Sequence, residues 1–484
     1  MPHYKSVLVP VRFFLYNGIG VKGILTPTLL YKEDIILSNL TLTRKIADFV
    51  LENHLDQYQP LDLALLKTAI ADWIAVTLSG AEEESVQMLV SVMKTQSENG
   101  SSALIGRSER TSSLWAALIN GTASHSQDFD DVHDFLSMHS TVPVCSAAIT
   151  AAEMVHASGA EFINAVANGM QLMAAIAAAI MPEHYQNMWH ATATIGIFGS
   201  AAACGNLLHL TPEQLCHAFG IAASKASGIQ TNFGSMTKPM QPAQASRNGL
   251  ESVLLAREGF TANDNIFESN FFSMLSARVE PENILPRLKD YLSVHDLRYK
   301  RFPCGAPTHS AILNSFALVR EYGFTAEDID RIVLEPYPRA IRLAGTSHPN
   351  TGLAGKFSLP FCAAAAIVTG QITRKTFSDE VLHMPAVQEL LNKIELVPNE
   401  SYNASRGGKA TFCLKDGRVL THEVHPLGKK ADPEAQQKDV REKFMEIAPD
   451  VIGNKTEDVW NYLQELETGK DIHTLMSLLS NTNN

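Results

Sequence analysis

From about residue 39 to 280, apolar residues recur at three- and four-residue spacing, and a large share of them are Ala or Gly. "LALLKTAIADWIAVTLSG" and "AEFINAVANGMQLMAAIAAAI" carry this period, with Gly and Pro as punctuation. Small side chains at helical spacing let helix axes approach closely. A chain written this way has few choices besides a tightly packed all-α domain. The longest apolar run, "AVANGMQLMAAIAAAIMP" (165–182), holds Asn168 and Gln171 and ends at Pro182, so it reads as a buried helix and not a membrane span.

After about residue 281 the texture changes. "IDRIVLEPY" is strand-like, and "KATFCLKDGRVLTHEVHP" reads as two alternating strands joined at Asp416–Gly417. Between them "FSLPFCAAAAIVTGQI" is helical, so 281–432 forms a separate α+β unit. From 433 to 484 charged amphipathic helix returns. The first 32 residues contain no Asp or Glu and carry Lys5, Arg12, Lys22 and Lys32. That start (1–38) reads as an upstream extension or an organelle presequence, and Arg12 breaks the apolar run a secretory signal needs. The expected compartment is the cytoplasm, or the mitochondrion if the extension is a presequence.

With a formal net charge of −12, the chain is a poor general nucleic-acid binder. An anionic substrate would need Lys and Arg gathered locally, against the field of the whole molecule. The six cysteines are scattered without a CxxC pair, which suits buried thiols in a reducing compartment better than a disulfide framework, a zinc site or an iron–sulfur site.

"SHSQDFDDVHDFLSMHS" (124–140) packs three His and four Asp into seventeen positions. DFDD with flanking imidazoles offers oxygen and nitrogen donors, yet its spacing matches no specific metal motif. Asp130, Asp131 and Asp134 read as helix-end or solvated carboxylates. Asp128, with His139 beyond a short loop, is the better acid/base pair, because a carboxylate and an imidazole facing one cavity have their pKa values pushed apart.

Three further stretches supply polar groups. In "NMWHATATIGIFGSAAACG", His190 stands at a helix start, a position where a lone His is more often structural; His184 reads as ordinary loop. In "NFGSMTKPMQPAQASRNGL", Lys238 precedes Pro239, which places it on an extended or turn segment, either as a solvated lysine or as a point charge for a substrate carboxylate. In "LRYKRFPCGAPTHSAI", Lys300 and Arg301 sit beside a Gly/Pro turn before His309, a reasonable anion site, with Cys304 as a small buried thiol. One carboxylate, several imidazoles and a few cations on turns suit proton abstraction next to a carboxylate, with the cations stabilising the charge that develops.

"HSQDFDDVHDFLSMHS", "WHATATIGIFGSAAA", "FGSMTKPMQPAQASRNGLESVLLAREGFT", "YKRFPCGAPTHSAI" and "GKFSLPFCAAAAIVTGQI" together resemble the MmgE/PrpD family, over about residues 40 to 480. That family includes 2-methylcitrate dehydratase, cis-aconitate decarboxylase and iminodisuccinate epimerase. The resemblance implies a mainly α fold: a large helical domain built from 39–280 and 433–484, with an inserted α+β lid at 281–432. It also implies a homodimer, and catalysis on small di- or tricarboxylic acids without metal or organic cofactor. Asp128, His139 and His190 fall at its active-site positions, and Lys238 and Lys300 match its lysines; Arg301, beside Lys300 at the anion site, is a third candidate cation. Departures are Val132 for a hydroxylated residue, Gln241 and Ala243 for the His and Gly of KPxHxG, and Phe361 where the decarboxylases carry Tyr.

The leading expectation is a cofactor-independent lyase, either dehydratase or decarboxylase. An epimerase sharing the same first step and a non-catalytic metabolite binder are the alternatives, and neither nucleic acid nor membrane is an expected partner.

Overall fold

A computed structural model of the chain describes residues 40–480 apart from 97–99, 134–135, 291, 404–405 and 426–431. The extension 1–38 and Asp134 lie outside the described residues. The chain is mainly α.

Six helices of the first half position the site: α1 (Pro60–Gly80), α2 (Ser113–His125), α3 (Thr141–Val155), α4 (Gly159–Ile180), α5 (Gly196–Leu207) and α6 (Thr237–Arg257). α1 starts on Pro60, whose missing N–H falls where a helix has no acceptor for it. α4 starts on a capping box in which Ser158 and Glu161 exchange side-chain-to-backbone bonds. The apolar window of α4 is 94% buried, so its length and hydropathy reflect the core it fills.

Small residues set the crossings. A Cβ on Gly121 of α2 would lie 2.9 Å from the Ala243 Cα on α6, and one on Gly169 of α4 would lie 2.6 Å from the Gly199 carbonyl oxygen on α5. Neither contact is tolerable, so both pairs of helices are as close as Gly permits.

A second apolar core follows. It joins α7 (His309–Tyr322), α8 (Leu359–Thr369) and a four-stranded sheet of β1 (Ile329–Pro336), β2 (Ile394–Leu396), β3 (Gly408–Leu414) and β4 (Val419–Val424). The strand order is β2-β1-β3-β4, with β1–β2 parallel and the other pairs antiparallel. The β3–β4 turn falls on Asp416–Gly417 as its sequence suggests, with Gly417 at φ 91. α9 (Pro433–Ile447) and the helices after it then return to the first core, where Val440, Phe444, Leu463 and Leu475 pack in one cluster with Ile70, Ala147 and Met170.

Candidate active site

α2 ends at His125, and the next fifteen residues reach α3 by a loop instead of continuing the helix. Asp128 sits in that loop at φ 53, a backbone region most side chains avoid. Val132–His133 pairs antiparallel with Leu297–Arg298, which carries the segment holding Lys300 and Arg301 up to the loop.

Lys238 arrives from the first turn of α6, which corrects the expectation of an extended segment. The first N–H groups of a helix have no internal acceptor, so Pro239 is accommodated there and the pre-proline restriction yields to the helix.

The two lysines meet on Asp128. Lys238 Nζ bonds Oδ1; Lys300 Nζ lies 3.0 Å from Oδ2 and donates to the Asp128 carbonyl oxygen at 2.9 Å. Burial opposes the Asp128 charge, but the two ammoniums outweigh it and hold the carboxyl well below the usual range. The adjoining carbonyls are also held by lysines: Lys356 Nζ donates to Gln127 O at 3.0 Å, and Lys443 Nζ to Phe129 O at 2.6 Å. Three successive carbonyls therefore each accept from an ammonium contributed by a distant segment. Burial lowers Lys356 to about 8.

Asp130 and Asp131 are fully buried, which corrects their reading as solvated carboxylates. Asp130 accepts from His125 Nδ1 at 2.9 Å and from His139 Nδ1 at 2.8 Å. Burial raises its pKa, and the two imidazoles outweigh that and keep it ionised. Asp131 caps α3, accepting from Ser140 N at 3.1 Å and Thr141 N at 3.3 Å. His139 Nδ1 also lies 2.5 Å from the Asp131 carbonyl oxygen, so Nδ1 carries the proton and Nε2 keeps the lone pair.

His190 is buried, and its Nδ1 lies 2.7 Å from Gln241 Oε1. Burial first, and then the Lys238 charge, hold it well below the usual imidazole range, so it is neutral. His184 is also buried, not loop: Nδ1 donates to Leu275 O at 3.2 Å and Nε2 accepts from the Thr194 hydroxyl at 2.7 Å.

All six candidates (Asp128, His139, His190, Lys238, Lys300 and Arg301) line a single cavity of about 380 Å³. Sequence reasoning missed Arg298, Arg339 and Arg406 on the same wall, as well as Tyr185, whose ring carries the Arg339 guanidinium 4.3 Å from its centroid. It also missed Asp130, His125 and Lys356, which hold the wall from behind. Among the described lining residues six are cationic and one is a carboxylate, the local excess of positive charge that an acidic chain needs to bind an anion. Of the four departures, Val132 lines the cavity; Gln241 stands behind His190; Ala243 makes the α2–α6 crossing; and Phe361 lies in the second core, packed on Gly355. Cys304 is a buried thiol 3.2 Å from the Thr308 hydroxyl.

His125, Asp128 and His139 bring donor atoms within 4.8 Å of one another. The carboxylate of this set does not suit a cation, because both Asp128 oxygens face ammoniums. Two positive charges on the only carboxylate of the trio would repel a divalent ion.

A cis-aconitate decarboxylase of Mus musculus is 28% identical over 437 residues, covering 85% of this chain and 88% of the relative. A cis-aconitate decarboxylase-like protein of Aspergillus oryzae is 26% identical over 444 residues, 86% of this chain and 92% of its own length. A mitochondrial 2-methylcitrate dehydratase of Yarrowia lipolytica is 23% identical over 266 residues, 51% of each chain. The MmgE/PrpD N-terminal domain matches residues 44–282 and the MmgE/PrpD C-terminal domain residues 302–466, and with both in sequence the chain belongs to the MmgE/PrpD family.

Proposed function

We propose that the chain is a cofactor-independent lyase that removes water or carbon dioxide from a small di- or tricarboxylic acid. The observation that carries this reading is the meeting of Lys238 and Lys300, from segments far apart in sequence, on one buried carboxylate beside His139 and His190. Substrate carboxylates compete with Asp128 for the two ammoniums and are held further out by the arginines, a geometry suited to planar anions.

His139 is the proton carrier on this reading. Asp130 holds its Nδ1–H, leaves Nε2 basic and stabilises the imidazolium that forms. Asp128, held ionised, serves as the counterion that keeps both lysines charged in a buried site. In dehydration, the base removes a proton α to a carboxylate, the C–H pair becomes the double bond, and the β-hydroxyl leaves as water with a proton from a second donor. In decarboxylation, the C–C bond to carbon dioxide breaks, its electron pair delocalises toward a carbonyl or carboxylate held by the lysines, and imidazolium protonates the carbon. The second core acts as the lid of this cleft, and the working unit is a homodimer.

The test is an NMR screen of citrate-, aconitate- and succinate-like acids in D2O. Loss of water or carbon dioxide supports the lyase. Solvent deuterium at an inverted carbon supports an epimerase instead, and binding without turnover supports a metabolite-binding role.

A further inference from the structure

Gln241 sits one helical turn beyond Lys238 on α6, outside the cavity wall, with both ends of its amide engaged. Nε2 donates to the Ile229 carbonyl oxygen at 3.1 Å, and Oε1 faces His190 Nδ1 at 2.7 Å. The first bond fixes which end of the amide faces the imidazole, because only the NH2 end can serve a carbonyl. Oε1 has no hydrogen, so His190 must supply it from Nδ1, and the lone pair is then on Nε2.

The backbone around the pair is equally constrained. His190 N donates to Gly228 O at 3.0 Å. Gly228 has φ 136, and a Cβ there would lie 2.7 Å from the Ala193 Cβ, a contact no side chain could make. The glycine thus lets the Gly228–Ile229 segment pass close enough to hold the ring's backbone with one carbonyl and the amide with the next. His190 lines the cavity with Lys238, while His125 stacks behind it at 6.1 Å between ring centroids.

We infer that Gln241 is a positioning residue that locks His190 in the Nδ1–H tautomer, so that Nε2 is the nitrogen offered to substrate. The inference rests on the proposed lyase reading of this cavity, whose second proton-transfer group it assigns to His190. It goes further by naming the nitrogen that exchanges the proton and the side chain that selects it. A neutral amide acceptor has a chemical consequence: it fixes the tautomer while raising imidazole basicity less than a carboxylate would. His139, backed by Asp130, and His190, backed by Gln241, thus face one cavity with different acceptors behind them.

The test uses the full-length protein with 15N-labelled histidine. Wild type should show a protonated Nδ1 and a pyridine-like Nε2 for His190, assigned against His190→Gln. Gln241→Met keeps the volume and removes the acceptor: its His190 signals should move toward a tautomer mixture, and kcat should fall roughly tenfold or more with KM little changed. Gln241→Glu restores an acceptor: Nδ1 should stay protonated, kcat should recover in part, and the acidic limb of the pH–rate profile should move to higher pH. Unchanged His190 signals in Gln241→Met, in a protein whose remaining spectrum is native, would overturn the inference. A tautomer shift with unchanged kcat would keep Gln241 as the selector and remove His190 from the proposed reaction, so the two failures are distinguishable.

Discussion

Lys300 holds Asp128 twice, with Nζ 3.0 Å from carboxylate Oδ2 and 2.9 Å from the carbonyl oxygen of the same residue. This ammonium thereby shares with Lys238 in fixing the charge of Asp128 and also holds its left-handed backbone at φ 53. Burial lowers the Lys300 pKa, but Asp128 outweighs it and the net shift is upward, so the cation persists through neutral pH. Lys300→Met should lower kcat/KM by roughly 100-fold or more, the scale of breaking a buried ion pair. Steady-state kinetics checks this. A near-normal constant would remove Lys300 from the site.

Asp130→Asn should leave the loop in place while changing the bond that orients His139. An amide accepts one of the two imidazole N–H groups and gives no charge to an imidazolium. The expected loss is in kcat, roughly 10²- to 10⁴-fold, with KM largely retained. A loss confined to KM would assign Asp130 to binding.

Stability should fall on acidification from about pH 6.5 towards 4, and His184 gives a clean reporter. Burial pushes its pKa down to about 4 from an ordinary 6.5, so the unfolded chain takes up a proton first. The sign follows: His184 favours the fold at neutral pH and loses that contribution as pH falls through this window. Asp72, raised by burial to about 6, and Asp131, also raised by burial, act in the opposite sense. His184→Gln should therefore flatten the pH dependence of Tm between 6.5 and 4, by up to roughly 3 kcal/mol of stability at the acid end. An unchanged slope would show that the native ring titrates normally.

Chelation should leave activity intact. The ammoniums on Asp128 compete with any cation for the oxygens that His125 and His139 would share. Activity lost in EDTA and restored by iron or zinc would revive a metal site at this loop.

The helical period and the Asp416–Gly417 turn were legible because each is local: periodicity and turn chemistry are written in neighbouring residues. Asp128, His139, Lys238 and Lys300 were legible for a similar reason, as polar groups at breaks in apolar helices. Asp130 was not, because its burial depends on His125 and His139 folding back on it, and composition alone favours an exposed carboxylate. Lys356 and Lys443 were hidden for the same cause: each lies more than 200 residues from the carbonyl it serves. Phe361, where the decarboxylases carry Tyr, fills the second core, and the tyrosines on the cavity wall include Tyr185 and Tyr337.

The most direct measurement is a double-mutant cycle on Lys238→Ala and Lys300→Ala, read as kcat/KM for whichever acid the NMR screen identifies. Two cations that share one carboxylate and one substrate should each be costly alone and strongly non-additive together. Large single losses with a double loss well short of their product are the predicted result. Near-wild-type kinetics for either single variant would contradict the account.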